Sequence, residues 1–292
     1  MKIQTQCVPC LIKRIIFEAE QSTNEEKLKT SAISSACKII SEIYDPTKCS
    51  ADIATKIHKI VYDTLGDSDP YKFLKIQSNK IAMSLVPRVK ELIKSSDDPL
   101  KMTMLCAIVG NSMDFGIDGA SSNPDMLKET FEKLVNDGIK HDDSIEVKKL
   151  IKKAKNLLFF TDNCGEIVFD KILCSELKNY NKNLKIALVV KGEPVLSDAT
   201  LEDANELRFD EVVDEVLTTG CFAVGVNFSN IPKKLKEKLE SFDLIICKGM
   251  ANYESFSETD IRPIAYLMRT KCDAIASSMK VPVNINVVKL FE

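Results

Sequence analysis

Near residue 150 the hydrophobic periodicity of this chain changes, and that change restricts its fold more than any other feature. Before it, apolar residues recur at helical spacing: Leu11, Ile15, Ile16 and Ala19 on one face, then Ala32, Ala36, Ile39, Ile40 and Ile43 on another. Pro46, Gly66, Pro70 and Pro99 punctuate further helices, and the apolar run 102–109 reads as a candidate buried helix. After it, short apolar runs alternate with amphipathic stretches. The pattern predicts strands near 156–161, 185–190, 212–217, 243–247, 272–276 and 285–289, with helices at 166–178, 200–208, 232–240 and 260–269. Such alternation specifies a mostly parallel sheet with right-handed crossovers. The expectation is an α-helical domain over 1–150 followed by an α/β domain over 151–292.

In open α/β sheets, ligands bind beyond the carboxyl ends of the strands. Two predicted strands run into oxygen-rich ends. Asn156–Phe160 is followed by Thr161-Asp162-Asn163-Cys164-Gly165-Glu166, and Leu184–Val190 by Lys191-Gly192-Glu193-Pro194-Val195-Leu196-Ser197-Asp198. Asp162, Asn163 and Asp198 offer only oxygen donors, which suit hard divalent ions. Taken singly, Asp162 and Asn163 equally suit a helix cap, and Asp198 the helix that starts near Thr200. Two strand ends of matching chemistry favour a site. The chain has only two histidines, His58 in a helical segment and His141 in a polar loop, so an imidazole-built metal site is not expected. Both are read as structural or exposed. Lys191, Lys248 and the Arg269-Thr270-Lys271 segment add positive charge that an anionic ligand would balance. Phosphate suits it best, because Arg forks onto its oxygens and Lys adds a point charge. Gly220 and Gly225 flank another loop after a strand and would let backbone N–H groups approach the anion.

The bulk properties narrow the partners. A formal net charge of −3 argues against a nucleic-acid or anionic-membrane surface, and no apolar run approaches the roughly 20 residues of a membrane helix. The first residues lack the apolar core of a signal peptide. Ten cysteines scatter through predicted elements, among them Cys37, Cys106, Cys174, Cys247 and Cys272, as buried free thiols of a cytoplasmic protein would. The partner expected is a small molecule.

Together, Asp162-Asn163-x-Gly165-Glu166, Lys191-Gly192-x-Pro194-Val195-x-x-Asp198, Gly110-Asn111-x-x-Asp114-x-Gly116, Lys248-Gly249-x-x-Asn252-x-Glu254 and Lys271-Cys272-x-x-Ile275-Ala276 resemble the metal-dependent damage-control phosphatases, catalogued as domain of unknown function 89. Cys7-Val8-Pro9-Cys10 resembles the prokaryotic branch. The resemblance runs from residue 7 to about 290. It implies an α-helical N-terminal region on a three-layer α/β/α domain, and Asp162, Asn163 and Asp198 as ligands of Mn²⁺, Co²⁺, Ni²⁺ or Mg²⁺. It further implies that Lys271 and Arg269 hold the substrate phosphate, and that small phosphometabolites such as sugar phosphates or damaged derivatives are hydrolysed. The Arg269-Thr270-Lys271 spacing departs from the Arg-Thr-x-Lys pattern of the family's eukaryotic branch.

On this reading, metal-activated water attacks a small phosphorylated metabolite, and Lys191, Lys248 and Lys271 stabilise phosphoryl charge. Glu166, Asn111, Asp114, Asn252 and Glu254 orient water or grip sugar hydroxyls, with Asp114 or Glu254 as candidate base. An aspartyl-phosphate route competes, but it uses a second Asp two residues after the first, where this chain has Cys164. An S-adenosylmethionine-dependent methyltransferase would suit the sheet but lacks its Gly-rich loop. A non-catalytic phosphometabolite-binding protein would need the same cationic cleft. Cys7 and Cys10, at i and i+3 of a helix, are compatible with packing, metal binding or redox chemistry.

Overall fold

The computed structural model describes residues 1–111 and 125–292. Helices α1 (Cys7–Ser22), α2 (Glu26–Ile43), α3 (Ser50–Leu65) and α4 (Lys72–Ser95) come first. The apolar faces of α1 to α3 close a core of Ile15, Ala19, Ala32, Ala36, Ile57 and Val61. The next helix, α5 (Pro99–Gly110), is apolar all round and buried along most of its length, as a helix surrounded by protein must be. Asp98 caps it by accepting from Lys101 N (3.2 Å), and Pro99 occupies its first turn.

Thereafter come α6 (Asp125–Asn136), β1 (Ile139–Asp142), α7 (Ser144–Lys153), β2 (Asn156–Phe160), α8 (Glu166–Tyr180), β3 (Lys185–Val190), α9 (Leu201–Glu206) and β4 (Glu215–Thr218). The chain closes with α10 (Lys233–Leu239), β5 (Leu244–Lys248), α11 (Met250–Phe256), β6 (Ile264–Arg269), α12 (Asp273–Met279) and β7 (Asn286–Phe291). Among the described residues, seven strands form one sheet in the order β1-β7-β6-β5-β2-β3-β4. All neighbours are parallel except β6 and β7. One core, including Leu157, Phe159, Leu188 and Phe169, lies on the α5/α8 face, and a second, including Phe160, Cys247, Tyr266 and Ile275, on the other. Helices on both faces of a mostly parallel sheet make the three layers. Among the described residues no helix is long and apolar enough to cross a membrane.

Two expected elements exchange identity. Residues 264–269, expected within a helix, form strand β6, whereas 272–276, expected as a strand, lie at the start of helix α12. The reason is burial. Ile264 to Met268 are covered on both faces, so their run is continuously apolar without alternation, and periodicity does not separate such a strand from a buried helix. Strand β1 and helix α11 were not anticipated. Strand β1 contains His141 and pairs with β7, so the sheet takes one edge from before residue 150. Helix α5 likewise packs on α8, β6 and β7. Strand β4 begins at Glu215, three residues later than the expected start at 212, and a short 3₁₀ turn at 209–211 precedes it.

Candidate active site

The chain winds outward in two directions from β2: β3 and β4 lie on one side, and β5 and β6 on the other. The loops that follow β2, β3 and β5 therefore meet at the topological switch point, where such sheets bind ligands. Backbone bonds stitch the first two loops together. Cys164 N donates to Ser197 O (2.8 Å), Ala199 N donates to Asp162 O (2.8 Å), and Asn163 and Asp198 form an isolated β-bridge. Asp162, Asn163 and Asp198 thereby stand side by side, almost buried, and all three line one cavity. The third loop approaches from β5. Gly249 has φ +74°, and a Cβ there would lie 1.9 Å from Asp162 Oδ2. Only glycine lets this backbone come so close to the carboxylate.

The side chains interlock. Asp162 Oδ2 accepts from Asn111 Nδ2 (2.9 Å) and Asn163 Nδ2 (2.5 Å), and Asn163 Oδ1 accepts from Ser197 Oγ (2.5 Å). Asn111 Nδ2 also donates to Glu166 Oε2. Lys191 Nζ lies 3.2 Å from Asp198 Oδ2 and donates to the Gly225 carbonyl. The loop holding Gly225, expected to offer N–H groups to an anion, thus serves Lys191 as an acceptor. Lys271 donates to the Asn111 carbonyl and lines the cavity. Behind Asp162, the wholly buried Lys248 Nζ donates to Ala107 O (2.9 Å), Glu166 Oε1 (2.7 Å) and Asp170 Oδ1 (2.9 Å). Burial alone would lower the Lys248 pKa, but the charges of Asp170 and Glu166 hold it raised. Burial pushes the Asp170 carboxyl up to about 7, against the pull of Lys248 and with Glu166 adding to the rise.

The sequence-derived candidates therefore divide. Asn111, Asp162, Asn163, Asp198, Glu254 and Lys271 all line a cavity of about 460 Å³, which the first helices roof through residues such as Leu11, Arg14 and Ala54. Glu166 and Lys191 stand directly behind them. Three candidates for gripping substrate lie elsewhere. Lys248 spends its three N–H bonds inside the protein, and Asn252 donates to Thr161 O (2.9 Å) and Lys248 O (2.8 Å). Arg269 donates to Asn286 Oδ1 (3.1 Å) away from the cavity, and burial lowers its pKa. Their backbones sit at or near strand ends, as expected, but their side chains turn inward to neighbours. Glu254 accepts from Ser50 Oγ (2.5 Å), and burial raises its pKa. Asp114 lies outside the described residues.

Several supporting residues escaped the sequence reading. Asp170 is four residues after Glu166 on α8, a spacing that could have flagged a shared partner. Ser197, Gly249 and Asn79 carried no such signal; Asn79 reaches from α4 to accept from Gly165 N (2.7 Å). All ten cysteines are free thiols, and Cys10 and Cys37 are exposed rather than buried. Cys7, Cys10 and Cys272 line the cavity mouth. Burial raises the Cys7 thiol and pushes Cys272 up to about 11, so both stay protonated at neutral pH.

The donor set fits a hard divalent ion. Among the described residues no three His, Cys, Asp or Glu side chains gather closely enough to hold an ion by themselves. Two carboxylates and an amide do converge, and Mg²⁺-like ions use one or two carboxylates and complete their shell with water and phosphate. Asn163 would offer its amide oxygen, which here accepts from Ser197 Oγ, to such an ion.

Residues 3–287 match the family model described as the damage-control phosphatase ARMT1-like domain. A damage-control phosphatase of Archaeoglobus fulgidus is 38% identical over 292 residues, covering 100% of both chains. A damage-control phosphatase of Pyrococcus horikoshii is 30% identical over 97% of this chain and 96% of its own. The crystal structure of a DUF89 family protein from Pyrococcus horikoshii superposes with a TM-score of 0.90 at 29% identity, covering 100% of both chains.

Proposed function

This chain belongs to the ARMT1-like damage-control phosphatase family, and from that premise we propose that it hydrolyses small phosphometabolites, sugar phosphates or damaged phosphorylated metabolites, with a divalent cation. The observation that carries the reading is the convergence of Asp162, Asn163 and Asp198, from the tips of two adjacent strands, on a cavity that Lys271 also lines. Asp162, Asn163 and Asp198 would hold Mn²⁺, Co²⁺, Ni²⁺ or Mg²⁺. When bound, the ion supplies charge to the phosphoryl oxygens and makes water acidic enough to attack near neutral pH.

The rest is done by the protein's own groups. Asn111 fixes the Asp162 carboxylate through one amide proton pair shared with Glu166, and Lys248 fixes Glu166 in turn. Lys271 brings positive charge to the cavity wall where phosphoryl charge would gather. Lys191 balances Asp198. Residues of α1 and α3 roof the cavity and would shape the space for the substrate's body. Direct attack by water is favoured over an aspartyl-phosphate. The residue two positions after Asp162 is Cys164, a fully buried thiol donating to Asp203 Oδ1 (3.2 Å), with its pKa well raised by burial.

A hydrolysis screen of purified protein over sugar phosphates, nucleotides and p-nitrophenyl phosphate, with Mn²⁺, Co²⁺, Ni²⁺ and Mg²⁺ each in turn, tests the reading. Phosphate release that a chelator abolishes and metal restores is the expected result. No turnover with any combination, or turnover indifferent to chelation, overturns it.

A further inference from the structure

His58 is the residue that the site as described leaves unused. The sequence gives it no motif, and a helical histidine is ordinarily structural. Its surroundings differ from that expectation. It lies on α3 in the series Ser50, Ala54, His58, one face of the helix at four-residue spacing, and all three line the cavity. Its Nδ1 is 2.8 Å and 3.0 Å from the two carboxylate oxygens of Glu18. Glu18 is wholly buried and also accepts from Tyr71 Oη (3.4 Å). Around this pair the helical core holds Ile15, Ala19, Ile57, Val61 and Tyr62, with the buried Arg14 one turn before Glu18 on α1. A buried carboxylate–imidazole pair in such a core is a poor way to gain stability, because both groups lose their water. It is a good way to hold an imidazole at one angle.

The position along the helix is equally informative. Tyr62, one turn beyond His58, accepts a hydrogen bond from Leu196 N (3.1 Å), two residues before Asp198. This end of α3 therefore abuts the loop that carries Asp198, and His58 faces the cavity from the roof on that side. A phosphoryl group held by Asp162, Asn163, Asp198 and Lys271 would leave its ester oxygen and the rest of the substrate to extend toward the roof, which His58 lines. An alkoxide is a poor leaving group, so a roof group with a proton to give would matter. Burial makes the thiols of Cys7 and Cys272 weaker acids than an ordinary cysteine.

We propose that His58, oriented by Glu18, is the general acid that protonates the leaving group, an assignment that rests on the phosphatase reading above. Water oxygen forms a bond to phosphorus as the phosphorus–ester oxygen bond breaks, its electron pair staying on the ester oxygen. The proton on His58 Nε2 passes to that oxygen and yields the free alcohol. The attacking water's proton goes to the departing phosphate or solvent, and His58 regains its proton from solvent. Glu18, which accepts from Nδ1, is a positioning residue.

The test compares leaving groups. In wild type with Mn²⁺, log kcat/KM over a series of aryl and alkyl phosphates should depend only weakly on leaving-group acidity, because the acid offsets poor leaving groups. A steep dependence in wild type overturns the assignment without any variant. His58→Gln should lose roughly 10²- to 10⁴-fold on alkyl phosphates but about ten-fold or less on p-nitrophenyl phosphate, whose leaving group departs as an anion. Glu18→Gln should show the same selectivity at smaller size, with circular dichroism checking the fold. Equal losses on both substrates, or a leaving-group-selective loss in Glu254→Gln in place of His58→Gln, overturns it. If wild type hydrolyses no phosphate ester at all, the phosphatase reading fails first; if it hydrolyses both classes and the variants show no selectivity, only His58 falls.

Discussion

Two clusters of buried charge lie at the carboxyl edge of this sheet, and they are built differently. In the inner one, Lys248 meets Glu166, Asp170 and the Ala107 carbonyl, and every lysine proton has an acceptor in the protein. In the outer one, Asp162, Asp198 and Lys271 line a cavity. The kinds of group do not distinguish them, since each mixes carboxylates with lysine: Lys248 in the inner one, Lys191 and Lys271 in the outer. Direction does. Charge aimed at charge inside the fold holds a shape, whereas charge aimed at a cavity is placed to meet a ligand. Asn111 and Glu166 couple the two, so the inner cluster is a support on which the outer one rests.

Four perturbations would sharpen or break that contrast. The largest expected effect is on activity: Asp162→Ala should abolish metal-stimulated phosphate release, by roughly 10³-fold or more, with the melting temperature little changed. Retained activity in that variant would remove the outer cluster's claim to function. Lys248→Met should act the other way round, on stability, costing about 3–5 kcal/mol in a urea titration because two carboxyls lose their buried partner. A wild-type midpoint would mean the inner cluster is not the support described. Gly249→Ala joins the two effects. The added Cβ collides with Asp162 at a φ of +74°, so strain of about 1–3 kcal/mol should accompany an activity loss of order 10²-fold.

The smallest effect is expected for Asp170→Asn, which keeps the shape and leaves Glu166 to balance Lys248; stability should stay within about 1 kcal/mol near neutral pH. Its signature is in pH. The folded pKa of Asp170, about 7, exceeds its unfolded 3.8, so the folded state holds the proton more tightly. That contribution is fully present below pH 3.8 and lost as pH rises through about 7. The stability difference between wild type and Asp170→Asn should therefore decline over this window, as measured by denaturation at successive pH values. A difference that stays flat across this window would show that Asp170 is ionised throughout it.

How far the sequence carried this description depended on range. The oxygen-rich ends of β2 and β3 were legible because each follows its strand within a few residues, where chain direction dictates location. Helix α5 and the buried character of Met102–Val109 were legible from apolarity alone. The identities of β6 and α12 were not, because a strand covered on both faces loses its alternation. Lys248, Asn252 and Arg269 were located near strand ends, but the direction of a long side chain is set by partners remote in sequence, such as Glu166 for Lys248, 82 residues away. His58 was least legible, since its pairing with Glu18 spans 40 residues and two helices.

By itself the sequence determined the class of fold and the chemistry offered at the strand tips, because propensity, periodicity and chain direction act over short separations. Only the tertiary structure decided which of those groups face the cavity, which face one another, and what the helical roof brings down upon them. Those outcomes follow from burial and charge pairing between distant segments, where each side chain's lowest free energy depends on what the rest of the chain has already packed against it.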